Sequence, residues 1–148
     1  MQHVNIVTQS GIKSVKPQSG AVGYVLETQT PKGPATLSRV FTVSEQTMNA
    51  SELTALIEAL KRLREPCALT IYTESTYIAG AITQHWPDKW EAADWRTAKG
   101  RDVANKELWQ ELMRLLKEHE VSFDTENDIG YQSWLVTEIN RKERTHVW

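Results

Sequence analysis

The chain has 148 residues, 40% hydrophobic and 24% charged, which is enough apolar material for one globular domain spanning 1–148 and too little length for two. The single cysteine, Cys67, excludes an internal disulfide framework and an all-cysteine metal site, and with no apolar leader at the start the expected setting is the reducing cytoplasm. A net charge of -2 and a pI near 6.1 exclude a generic polyanion binder, so any nucleic-acid contact has to use a local basic patch; nothing in the chain reads as a membrane span.

The β-branched run His3 to Thr8 predicts a first strand, ended by the turn-prone Gln9-Ser10-Gly11. Gly20 to Thr28 and Ala35 to Val43 predict two more strands, joined through Pro31-Lys32-Gly33-Pro34 into an antiparallel meander. The apolar period then changes: Leu53, Leu56, Ile57, Leu60 and Leu63 form one stripe at helical spacing, so a helix is expected from about Asn49 to Leu63, stopped before Pro66. Ala68 to Thr73 predicts a short buried strand lying parallel to the first, since a helix connects back across the sheet. Ser75 is placed to cap a helix from Thr76 to Gln84. His85 to Gly100 carries Trp86, Trp90 and Trp95 and is too aromatic for a flexible linker. Asn105 starts a helix with Leu108, Leu112, Leu115 and Leu116 as its stripe; Val121 to Thr125 makes a fifth strand, and Trp134, Leu135 and Ile139 suggest a closing helix. The expected class is α/β, with a mixed five-stranded sheet, three strands antiparallel and two parallel, flanked by helices.

Three segments carry chemistry. Glu52 lies in Thr47-Met48-Asn49-Ala50-Ser51-Glu52-Leu53, at the start of the first crossover helix. Glu74 lies in Tyr72-Thr73-Glu74-Ser75-Thr76-Tyr77, at the end of the fourth strand. The third segment runs through Ile82-Thr83-Gln84-His85-Trp86, Lys89-Trp90, Trp95-Arg96-Thr97-Ala98-Lys99-Gly100 and Asn105-Lys106-Glu107-Leu108-Trp109. Together, over roughly Val4 to Phe123, they resemble the ribonuclease H family, and the third is similar to the tryptophan-rich basic handle of its bacterial type 1 members, which helps to grip an RNA/DNA hybrid. The resemblance implies that family's fold, with hydrolysis of the RNA strand by a pair of Mg²⁺ ions held in clustered carboxylates.

Carried over residue by residue, the resemblance implies a site of Glu52, Glu74, Gln9 and Glu138, with Glu52 and Glu74 holding Mg²⁺, or Mn²⁺ with its looser geometry. Only Glu52 keeps the family residue. Glu74 stands for an aspartate, longer by one methylene; Gln9 stands for the metal-bridging aspartate, and an amide oxygen has no formal charge with which to bridge two hard cations. At the far end Thr137 or Glu138 is nearest the last aspartate, and the loop lacks its histidine. The expected function is therefore binding of RNA/DNA hybrid or RNA, with weak or no hydrolysis. One alternative is a fully active hybrid endoribonuclease recruiting Asp124, Glu126 or Asp128. The other is a metal-free protein-docking module that uses the tryptophan-rich region.

Asn49 and Thr76 fall in the family's hybrid-contact zone, Thr76 in place of a glutamine; Met48 replaces an asparagine. From Trp95 to Lys106 the cations Arg96, Lys99, Arg101 and Lys106 face one acid, Asp102, a local excess of three available to phosphates, with Trp90 and Trp95 beside them. Each residue also has a plainer reading. Asn49-x-x-Glu52 has capping-box spacing, Glu74 suits a first helical turn, the indoles suit core packing, and the basic stretch suits a solvated surface.

Overall fold

Alternating apolar positions fold the first third of the chain into three strands, β1 (Gln2–Ser10), β2 (Gln18–Thr30) and β3 (Gly33–Gln46), in a computed structural model that describes residues 1–148. Each strand runs further than its apolar stretch, because pairing extends β2–β3 from Gln18 opposite Gln46 to Thr30 opposite Gly33. The hairpin closes on Pro31 and Lys32 alone, with Gly33 at φ +111°, a conformation that side-chain-bearing residues rarely adopt. Pro34 lies inside β3 opposite Gln29, tolerated because β3 is an edge strand.

Helix α1 (Met48–Leu60) leads into β4 (Cys67–Tyr72), parallel to β1 with Val7 opposite Tyr72. After α2 (Thr76–Thr83), α3 (Trp86–Ala92) and α4 (Lys106–Leu116), β5 (Glu120–Asp124) pairs parallel to β4, and α5 (Tyr131–Thr145) closes the chain. The sheet order is β3-β2-β1-β4-β5, the mixed five-stranded arrangement expected from the sequence. Two details differ. Helix α1 stops three residues short of Leu63, where the amides of Arg62 and Leu63 bond back to the carbonyls of Ala59 and Leu60 in a tightened last turn. The aromatic stretch also holds a short helix of its own, α3, begun by Pro87 in its first turn.

One face of the sheet packs Ile6, Tyr24 and Ile71 against Leu53, Leu56 and Leu60 of α1 and Trp109, Leu112 and Leu116 of α4. The opposite face packs Val7 and Val25 against Leu135 of α5. β1 is thus covered on both sides, and its C-terminal end opens onto a rim that both layers approach. No helix is long and apolar enough to cross a membrane.

Candidate active site and nucleic-acid face

Parallel pairing of β1 and β4 brings their C-terminal ends to one rim, and continuing the register from Val7 opposite Tyr72 puts Gln9 level with Glu74. Across that rim α1 is tied down by Ser10 Oγ and Ser51 Oγ, 2.7 Å apart. The cap of α1 is Thr47, whose Oγ1 accepts the Ala50 amide at 3.1 Å. The capping-box reading of Glu52 is therefore corrected: Ala50 holds the third helical position, and Glu52 lies in the second turn, facing inward. The cap of α2 is Ser75, as its place in the sequence suggested, accepting the Ile78 amide at 3.1 Å.

Glu52 is only 8% exposed, and its Oε2 is buried with no hydrogen-bond partner. Burial pushes its carboxyl above the usual carboxylate range; the Ser75 hydroxyl and the charge of Lys13 pull it down, and neighbouring Glu74 pushes it up. Glu74 is exposed, with Lys13 Nζ 3.9 Å from its Oε2.

Glu74 sits on the ridge between two clefts. A cleft of about 330 Å³ is lined by Lys13, Met48, Asn49, Glu52, Ser75, Thr76 and Tyr77 together with Glu74. A smaller one of about 130 Å³ joins Glu74 to Thr8, Gln9, Asp124, Glu126, Asp128 and Gln132. Gln9, Glu52, Glu74, Asn49 and Thr76 thus come together around one rim. Glu138 does not line either cleft; it pairs with Arg141 at 3.4 Å on α5. The first turn of α5, through Gln132, faces the smaller cleft, and six residues further on Glu138 is about 9 Å along the axis at 1.5 Å per residue.

Of the loop acids, Asp124 is occupied. Its Oδ1 accepts the amides of Glu126 and Asn127 at 2.9 Å each and its Oδ2 the Asn127 side-chain amide at 2.8 Å, bonds that hold its carboxyl below the usual range. Asp128 Oδ1 takes the Gly130 amide at 2.6 Å. Glu126 alone keeps its carboxylate free of hydrogen bonds. Nowhere do three His, Cys, Asp or Glu side chains gather as ligands for one ion. Two carboxylates and a neutral amide supply oxygen donors of the kind a hard divalent ion takes, with water completing its shell.

Sequence reasoning missed two charged residues at this rim. Lys13 follows the first strand and acts on carboxylates far away in sequence. Glu143, near the end of α5, packs its carboxylate against Gly11, where a Cβ would collide with it. Neither lies in a recognisable motif, and Lys13 falls in the seven-residue link 11–17 between β1 and β2.

The aromatic stretch folds inward. Trp109 has no exposed surface and donates from Nε1 to the Tyr77 hydroxyl at 2.8 Å; its ring centroid lies 5.3 Å from that of Trp90, which lies 5.9 Å from Trp95. Trp90 and Trp95 are therefore packing residues first, and the exposed indole of the stretch is Trp86. Arg96 donates to the Gly100 carbonyl at 3.1 Å and Lys106 pairs with Asp102 at 3.7 Å, whereas Lys99 and Arg101 are exposed and form no ion pair.

The RNase H family model matches residues 2–125. The chain is 38% identical to a ribonuclease H of Chlorobium phaeobacteroides over 123 residues, covering 83% of this chain and 82% of that protein. It is 50% identical to a ribonuclease H of Caldicellulosiruptor saccharolyticus over 78 residues. That match covers 53% of this chain and 54% of the other, so the chain spans about half the length of the first of the curated relatives it matches. Among solved structures, the fold is similar to that of LC9-RNase H1, a type 1 RNase H with the type 2 active-site motif (TM-score 0.81, 18% identity, 99% of this chain and 74% of that one). It is also similar to that of LC11-RNase H1, solved in complex with RNA/DNA hybrid (TM-score 0.61, 20% identity, 93% of this chain and 97% of that one).

Proposed function

Since the chain belongs to the ribonuclease H family, we propose that it binds RNA/DNA hybrid or RNA across the rim formed by β1, β4 and α1, and hydrolyses the RNA strand weakly or not at all. The observation that carries this reading is the donor set: Glu52 and Glu74 are the two acids of one cleft, and the position level with Glu74 on the central strand is the neutral Gln9. Glu52 and Glu74 would hold one divalent ion, Mg²⁺ or Mn²⁺, which when bound supplies charge neutralisation and lowers the pKa of a coordinated water. The remaining work belongs to the chain itself. Asn49 and Thr76 line the cleft beside Glu52 and present short polar groups to the nucleic acid. Lys99 and Arg101 neutralise backbone phosphates on a loop braced by the packed indoles of Trp90, Trp95 and Trp109, with Arg96 and Lys106 shaping that loop through Gly100 and Asp102. The free carboxylate of Glu126 favours a second reading, an active enzyme in which that residue supplies a further acid to the smaller cleft. A reducing, cytoplasmic setting suits the unpaired Cys67.

Fluorescence anisotropy with labelled hybrid at two salt concentrations, followed by gel analysis of cleavage in Mg²⁺ and in Mn²⁺, tests this function. Affinity that falls with salt and slow cleavage lost in Glu52→Gln are expected. Absence of binding at low salt would refute it, and rapid cleavage abolished by Glu126→Gln would establish the second reading.

A further inference from the structure

Lys13 has no part in the function proposed above, yet it is built into the acidic cleft. The backbone leading to it is pinned on every side. The Gly11 amide donates to the Ala21 carbonyl at 2.8 Å, and the Ile12 amide donates to Ser10 Oγ at 3.0 Å, the same hydroxyl that meets Ser51 of α1. The Ile12 side chain is 2% exposed and lies against Gly20 so closely that a Cβ there would come within 2.6 Å of it. From that pinned backbone the lysine, its side chain 61% exposed, reaches over the rim to the cleft that Glu52 and Glu74 line.

We propose that Lys13 is the resident counter-cation of this cleft and that a divalent ion gains Glu52 and Glu74 only by displacing its ammonium. The inference rests on the reading of Glu52 and Glu74 as the metal-side acids. Nζ stands 3.9 Å from Glu74 Oε2, and the cleft also contains the buried Oε2 of Glu52, a carboxyl oxygen without a hydrogen-bond partner. The same charge reaches Glu143, whose carboxylate comes to Gly11 from the opposite layer of the fold; both Glu52 and Glu143 are raised by burial and drawn down by Lys13. Glu52 from α1 and Glu74 from the β4–α2 junction thus share one cleft with a single ammonium, while no three acids gather closely enough to ligate one ion. A long, flexible cation suits that spacing better than an ion that requires its ligands within about 2.1 Å. Like charges a few ångströms apart in a solvated cleft repel by enough to weaken a divalent ion about tenfold.

The test is calorimetric titration of Mn²⁺ into the intact chain and its Lys13→Met, Lys13→Arg and Glu52→Gln variants, with no substrate present. Lys13→Met is expected to bind Mn²⁺ about tenfold tighter than the unaltered protein, Lys13→Arg to bind like it, and the gain to vanish when Glu52→Gln is added to Lys13→Met. If the unaltered protein binds Mn²⁺ through Glu52 and Lys13→Met binds no tighter, the counter-cation role is wrong while the metal-side acids stand. If Lys13→Met gains affinity that Glu52→Gln does not remove, the ion sits elsewhere and the proposal fails. If neither the unaltered protein nor Lys13→Met binds Mn²⁺, both the proposal and the metal reading fall.

Discussion

Glu52→Gln should make the protein more stable near neutral pH. The carboxylate is 8% exposed and one of its oxygens is buried without a donor, a situation that costs about 1–3 kcal/mol for a polar group and more when the group is charged. The Ser75 hydroxyl and Lys13 offset part of that cost, and an amide in the same place still has buried polar atoms to satisfy, so a net gain of about 1–2 kcal/mol is expected. For a chain of 148 residues that corresponds to a rise in Tm of roughly 2–8 °C. The sign with pH follows from burial holding the folded carboxyl above its ordinary value of 4.5. Below that value both folded and unfolded chains carry the proton and the two proteins match; as pH rises through 4.5 to the folded pKa the unaltered protein loses stability relative to the variant, and above it the gap is constant. Thermal unfolding followed by circular dichroism at about pH 4 and about pH 8, in chelator, measures the gap. Adding Mn²⁺ at the higher pH should then stabilise the unaltered protein and leave Glu52→Gln where it was. A variant less stable than its parent at the higher pH, or a gap of the same size at both, would show that Glu52 is a structural acid and not a strained one kept for a cation.

Trp109→Ala should cost about 3–5 kcal/mol in denaturant unfolding, because the indole is fully buried and its N–H bonds Tyr77; a loss below about 1 kcal/mol would mean that α4 does not anchor the aromatic stretch. Lys99→Ala and Arg101→Ala should each weaken hybrid binding and reduce the slope of log affinity against log salt by about one, measured by anisotropy; an unchanged slope would remove those side chains from the phosphate face. Gln9→Asp combined with Glu74→Asp should bind Mn²⁺ more tightly and raise cleavage of hybrid, and no gain in either would locate the defect on the α5 side, where no acid faces the smaller cleft from the helix's first turn.

Legibility followed the range of the interaction involved. Periodicity located β1 to β5, the apolar stripes of α1 and α4, and the Ser75 cap, because side-chain alternation and helical spacing are local consequences of backbone geometry. It did not locate the first turn of α1: Thr47 and Asn49 are both acceptable caps, and the hydrogen bond from Met48 N–H to the Ser14 carbonyl, a contact across 34 positions, decides between them. The short helix α3 was hidden for a similar reason, its Trp90 being held by Trp109 of α4 and not by any stripe of its own.

The order of residues by itself determined that Gln9 and Glu74 would lie at the ends of neighbouring parallel strands, since residue identity and the helix connecting the strands are properties of the chain. Only the tertiary structure decided that Glu138 lies along α5 away from both clefts, and that Lys13 and Glu143 face the rim. Those outcomes depend on the distance between charges brought together from opposite layers of the sheet. Coulomb energy and desolvation depend on that separation and on the depth of burial, neither of which is encoded in any short stretch of sequence.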